Sequence, residues 1–149
     1  MDKKLTPAEI VVLAAGAVVL VFSFLPFYKI GGGSFGAFHV SSKSVSAWSS
    51  GLFPVATLIP IFGVLMAAQV AVAKFTSAQL PARVLTFTWE QLLVALGFFA
   101  ALLAVCYSVV DKGGADFGFG YYFVLIGAIG LAVGAVMLQH ERTSRPGLI

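Results

Sequence analysis

Charge is scarce in this chain. Lys, Arg, Asp and Glu make up 10% of it, 60% of residues are hydrophobic and the mean hydropathy is +1.01. A soluble globular domain is about a quarter charged. A water-wet fold of this size has no core large enough for so much apolar surface, whereas lipid hides it. Cysteine is nearly absent too. The lone Cys106 excludes an intramolecular disulfide and says nothing about redox compartment. The net charge of +3 and pI near 9.2 raise the question of nucleic acid. The nine basic residues are scattered between apolar runs and form no basic face, so a nucleic-acid partner is not expected.

Chemistry-bearing patterns are missing as well. Past Glu9, no Asp, Glu, Lys, Arg or His falls inside the long apolar runs. Ionisable groups within a membrane are costly and normally mark proton relays, ion paths or catalytic centres. Their absence argues against a membrane-embedded enzyme, and no catalytic, cofactor or metal residue is assigned. Cys106 has no His near it in sequence and reads as a buried structural thiol. Ser23, Thr57 and Ser108 lack a neighbouring base. Gly31-Gly32-Gly33 and Gly113-Gly114 are not followed by Lys-Ser/Thr, so they are not phosphate loops.

What is present is a set of four apolar runs. The first covers residues 8–25, roughly 27 Å at about 1.5 Å per residue and close to a bilayer's hydrocarbon thickness. Thr6-Pro7-Ala8-Glu9 before it is a capping box with proline at the first helical position. Pro26 ends the run, and Phe27 and Tyr28 suit the headgroup layer. A cleaved signal peptide is disfavoured, because its small-residue site, Ala15-Gly16-Ala17, lies inside the run. The second run, residues 52–73, is capped by Ser49 or Ser50 and carries Pro60, which should kink it as a gate or a packing feature. The third run, residues 92–110, follows a second capping box, Thr88 with Gln91. Glu90 there suits the positive end of the helix dipole. Asp111-Lys112-Gly113-Gly114 stops it. The fourth run, residues 119–138, begins near Tyr121 and Tyr122 and precedes a polar tail, 139–149.

These runs predict one all-α membrane domain: an antiparallel bundle of four transmembrane helices, with an outer loop at 26–50 and an inner loop at 74–89. Placing the N-terminus inside puts Lys3, Lys4, Lys74, Arg83, Arg142 and Arg145 inside and Lys29, Lys43 and Lys112 outside. That bias places both termini in the cytoplasm. It also puts His39 and His140 on opposite sides, so they share no metal. Within the outer loop, Gly31-Gly32-Gly33-Ser34 is a turn between strand-like runs at 27–30 and 35–45. It predicts a small β-hairpin or extended flap on the membrane surface, against the alternative of a disordered loop.

Two features point to contacts. Gly127, Gly130 and Gly134 form a smooth stripe on the fourth run, for packing inside the bundle or for a homo-oligomer. Ala67 with Ala71, and Ala100 with Ala104, are small-residue pairs of the same kind. Phe35, Phe38, Val40, Val45 and Trp48 are numerous for a loop that only connects. They rest on the bundle's outer end, dip into headgroups or dock a membrane-protein partner.

Phe24-Leu25-Pro26-Phe27-Tyr28, a glycine-containing loop and then Ser46-Ala47-Trp48 resemble a pattern in small four-span membrane proteins of actinobacteria. They are similar to the membrane part of the mycobacterial 34 kDa antigen family. That resemblance implies a cytoplasmic-membrane envelope protein and supplies no catalytic residues. The family's long Pro- and Gln-rich tail is missing here. Trp48-Ser49-Ser50-Gly51-Leu52-Phe53 is similar to the first outer loop of claudin-type tetraspans, without their two cysteines. The expected function is therefore a non-enzymatic membrane protein, an accessory or scaffold subunit of a cell-envelope or division assembly. The alternative is a small oligomeric transporter or channel lined by Thr57, Pro60, Gln69 and Ser108.

Overall fold

The computed structural model describes residues 4–32, 34–35, 38–39, 41–50, 52, 54–76, 86–109 and 116–144. The order of elements is α1 (Pro7–Phe22), β1 (Pro26–Ile30), β2 (Ser34–Phe35), β3 (Phe38–His39), β4 (Lys43–Ser46), α2 (Val55–Phe75), α3 (Trp89–Val109), β5 (Asp116–Phe117) and α4 (Phe119–Thr143). The protein is mostly helical. Among the described residues, three of four helices, α2, α3 and α4, are long and apolar enough to cross a membrane.

The first helix departs from expectation. A span over residues 8–25 was anticipated, but α1 has 16 residues and ends at Phe22. At about 1.5 Å per residue that is roughly 24 Å, short of a hydrocarbon core of about 30 Å. Ser23 ends it by donating its N–H to the Val19 carbonyl. Phe24 and Leu25 then turn tightly, donating to Val21 and Phe22, and Pro26 starts an extended strand. Both capping boxes form. Thr6 and Glu9 exchange bonds of 2.8 and 3.3 Å, and Thr88 and Gln91 exchange bonds of 3.1 and 3.4 Å. Pro60 lies inside a continuous α2.

The helices pack as a ring, α1 between α2 and α4, with α3 closing the other side. Sequence neighbours run antiparallel. Glu9 near the start of α1 meets Lys74 near the end of α2, and Ala104 late in α3 meets Tyr121 early in α4. The start of α1 and the end of α4 therefore lie at one end of the ring, opposite the strands. Small residues set the helix separations. A Cβ on Gly16 would stand 2.8 Å from the Gly63 carbonyl oxygen, and one on Gly97 would stand 3.0 Å from Ala132 Cα. Such approaches let α1 meet α2, and α3 meet α4, almost backbone to backbone. Val12, Val19, Ile59, Met66, Val124 and Leu131 fill the middle without solvent exposure.

The loop between α1 and α2 carries strands, but the single strand expected at 35–45 is divided among β2, β3 and β4. β1 pairs antiparallel with β4, Tyr28 opposite Val45 and Ile30 opposite Lys43. On its other edge β1 pairs with β5, Tyr28 opposite Phe117 and Lys29 opposite Asp116. The result is a three-stranded sheet of order β4-β1-β5, whose third strand comes from the turn between α3 and α4. β2 and β3 form a separate two-stranded ladder.

Candidate functional site

The sheet end of the ring holds the densest organised chemistry, and β1 positions it. The β1–β4 register slips between Pro26 and Tyr28. A bulge of this kind breaks the alternation of faces and re-aims side chains. Phe27 and Tyr28, consecutive in sequence, are both buried as a result. The Phe27 ring stands edge-on to Tyr28, Tyr107 and Tyr121, at centroid distances of 5.3, 5.5 and 5.1 Å. Phe117 of β5 stacks on Tyr121 at 4.2 Å and on Tyr28 at 5.6 Å. Edge-on and offset aromatic pairs are each worth about 0.5–1.5 kcal/mol beyond their buried area.

Each phenol in this cluster finds an acceptor. Tyr28 Oη donates to the Tyr107 carbonyl at 3.0 Å, in the last turn of α3, where carbonyls lack intrahelical partners. Tyr121 Oη donates to the Ala104 carbonyl at 2.8 Å, and Tyr107 Oη to the Leu52 carbonyl at 3.5 Å. Three hydroxyls thus tie β1, α4 and the approach to α2 to one end of α3. Burial, reinforced by the neighbouring Tyr121 and Tyr107 phenols, pushes the Tyr28 phenol up to about 12. At neutral pH Tyr28 is therefore a fixed donor and supplies no proton-transfer group.

A second cluster sits at the junction of α1, β4 and α2. Trp48 Nε1 donates to Ser23 Oγ at 2.8 Å, and Ser23 Oγ donates to the Leu20 carbonyl at 2.6 Å. Ala47 N–H donates to the Ser23 carbonyl, while Thr57 Oγ1 donates to the Ala47 carbonyl at 2.9 Å. Among the described residues, Ser23 and Thr57 are the buried polar ones, and both serve this junction. Trp48 is 40% exposed and Phe24 64% exposed, their rings stacked at 5.4 Å. Phe119 and Tyr122 add further exposed aromatic surface at this end.

The residues singled out from sequence go to different places. Gly127, Gly130 and Gly134 all face α1: a Cβ on them would meet Val19 Cγ2 at 2.6 Å, Ala15 Cβ at 3.2 Å and Val12 Cγ2 at 2.7 Å. Phe35 and Phe38 are partners in the β2–β3 ladder. Val40 lies outside the described residues. Val45 is half-buried opposite Tyr28. Pro60 and Thr57 are buried, whereas Ser108 is exposed and donates to the Val105 carbonyl of its own helix. Gln69 is further along α2 from Thr57 by about 18 Å. Cys106, read from sequence as buried, is exposed, because it lies on the α3 face turned away from the other helices. Among the described residues no three His, Cys, Asp or Glu side chains come together as metal ligands.

Sequence reasoning missed three things: the β5 strand, the Tyr28–Tyr107–Tyr121 cluster and the Glu9–Lys74 ion pair. The cluster had a signal, since Phe27-Tyr28, Tyr107 and Tyr121 all fall at the same end of their runs once helices alternate in direction. No protein-family model matches the chain, and a search of curated proteins finds no match.

Proposed function

We propose that this chain is a non-enzymatic, multi-pass protein of the cytoplasmic membrane that works through contacts. It would serve as an accessory or scaffold subunit of a cell-envelope or division assembly; the resemblance to small four-span actinobacterial proteins supports the envelope membrane as its location. In this reading α1 is the fourth span of a four-helix bundle, the termini are cytoplasmic and the sheet is outside. Exposed aromatics at both ends support the placement. Phe24, Trp48, Phe119 and Tyr122 mark the sheet end, and Phe75 and Phe87 the other. Of these, Trp48 and Tyr122 are the amphipathic rings that favour a membrane–water interface, at either face; the orientation rests on the distribution of Lys and Arg.

The observation that carries the reading is the disposition of the polar side chains. Thr57 and Ser23 hold the loop junction together, and Ser108 turns outward and bonds to its own helix. A transporter or channel needs polar groups converging on a water-accessible path. What the chain would offer to the outside instead is a sheet end with exposed Trp48 and Phe24.

The test is affinity capture of the tagged chain from native membranes in mild detergent, with mass spectrometry and native mass measurement. A hetero-complex of fixed composition, weakened by Trp48→Ala in a chain that still folds, is the expected result. A homo-oligomer that conducts ions or solutes in liposomes would overturn the reading in favour of transport. Protease added to sealed cells is expected to cut within residues 31–50 and spare the tail; tail cleavage would reverse the orientation.

A further inference from the structure

We infer that the outer face of α1 takes a thin bilayer as its partner: the protein gathers short-chain lipid on that side and compresses the membrane around it. The inference rests on the reading of the chain as a membrane protein with α1 as its fourth span, and it adds the class of lipid. α1 has 16 residues, roughly 24 Å, whereas α2 and α3 have 21 each, roughly 32 Å. α1 is thus short of a hydrocarbon core of about 30 Å by about 6 Å, and any tilt shortens its reach further. α3, across the ring from it, is long enough. The mismatch is therefore one-sided.

The exposed face of α1 agrees with that length. Ile10, Ala14, Ala17, Val21 and Phe24 share it and cover about 21 Å. Polar structure closes both ends. At one end Glu9 pairs with Lys74. At the other, Ser23 holds Trp48, and the sheet starts at Pro26.

A span that is too short thins the bilayer, lets flanking charges reach toward water, or hides its face against a second copy. Reaching outward is opposed by the ion pair, since Lys74 is tied to Glu9 at 3.2 Å and Glu9 is tied to the Thr6 cap. A second copy finds little to hold. Glu9, Lys74, Ser23 and Trp48, the polar groups bordering the face, are each bonded within the chain. Thinning is the response that leaves these bonds in place.

The experiment reconstitutes the full chain in vesicles of dimyristoleoyl, dipalmitoleoyl, dioleoyl or dierucoyl phosphatidylcholine, a series of rising chain length. The thermal unfolding midpoint is expected to be highest in the two shorter lipids and to fall toward dierucoyl. A midpoint that peaks in dioleoyl or dierucoyl lipid, or ignores chain length, overturns the proposal. Tryptophan quenching then locates the preference. Trp89→Phe leaves Trp48 beside α1, and Trp48→Phe leaves Trp89 on α3. In equal mixtures of dimyristoleoyl and brominated dioleoyl lipid, each chain is referred to its quenching in brominated lipid alone. Trp48 should report about threefold more short-chain lipid than Trp89. Equal enrichment overturns the one-sided mismatch, and if Trp48→Phe does not fold, the stability series on the unsubstituted chain decides alone. Disulfide-linked dimers of Ala17→Cys, in a Cys106→Ser background, at every chain length would give the face to a second copy and overturn the proposal. A chain that enters none of these vesicles would instead overturn the membrane reading itself.

Discussion

Lys74 Nζ stands 3.2 Å from Glu9 Oε2, the same carboxylate oxygen that accepts the Thr6 backbone N–H at 2.8 Å. One side chain thus closes the N-terminal cap of α1 and fastens it to the last turn of α2. Both partners are largely shielded, with side-chain exposures of 21% and 13%. Partial shielding favours the upper part of the range for such pairs, about 0.5–1 kcal/mol. Glu9→Gln keeps the cap geometry and loses the ion pair. It should lower stability by about that amount in a detergent unfolding assay, with Lys74→Gln adding little more. Full additivity of the two substitutions would show that the pair contributes nothing.

The Trp48 indole separates bonding from stacking. Trp48→Phe retains a ring to stack on Phe24 but removes the donor to Ser23 Oγ. The expected loss is about 1 kcal/mol, with faster protease cutting at residues 41–50. Ser23→Ala should act more strongly, because it also removes the Oγ bond to Leu20. Equal cutting rates in all three proteins would show that the junction does not hold the loop.

The glycine stripe should show graded tolerance. Gly127→Ala and Gly134→Ala drive a methyl into Val19 and Val12, whose branched side chains cannot swing aside. Each should destabilise by roughly 1–3 kcal/mol. Gly130→Ala meets only the Ala15 methyl, at 3.2 Å, and should cost less. The paired Gly130→Leu, Gly134→Leu chain should fail to fold. Thermal stability in detergent ranks the set, and equal effects at 130 and 134 would contradict the α1–α4 geometry.

Alkaline pH tests Tyr28. Its folded pKa is raised to about 12 from 10.0. Between those values the unfolded chain has lost the phenolic proton and the folded chain keeps it. Stability from this residue is therefore full below pH 10 and falls as pH rises from 10 to 12, by an amount of order 2 kcal/mol. Tyr28→Phe should flatten that part of the profile, and at neutral pH cost about 1 kcal/mol for the lost bond to Tyr107. An unchanged alkaline limb in Tyr28→Phe would assign the effect elsewhere.

Much of the helical layout was legible because lipid-length apolar runs and capping boxes are local signals. Thr6 with Glu9 and Thr88 with Gln91 announce their helices in four residues each. The end of α1 was not legible. Hydropathy stays high through Phe22-Ser23-Phe24-Leu25, and the helix stops where Ser23 engages Trp48 and Ala47 from another segment. Nor was β5 legible, since Asp116-Phe117 is too short to show a period and its partner β1 is remote in sequence. The glycine stripe was visible, but which helix it faces depends on the ring order, and nothing local encodes that. The candidate site was legible only in part. Trp48 stood out as an aromatic in a loop, whereas the tyrosine cluster exists only once three distant segments meet.

The place of β1 between β4 and β5 has a consequence for biogenesis. As the ribosome delivers the chain, β1 and β4 emerge early, but β5 arrives only after α3, and α4 follows it. Until then the Phe27–Tyr28 side of β1 lacks the Phe117 and Tyr121 rings that cover it. Closure of the ladder therefore reports that the segment following α3 has arrived, and a chain truncated before β5 leaves that aromatic strand uncovered for whatever quality-control machinery reads it.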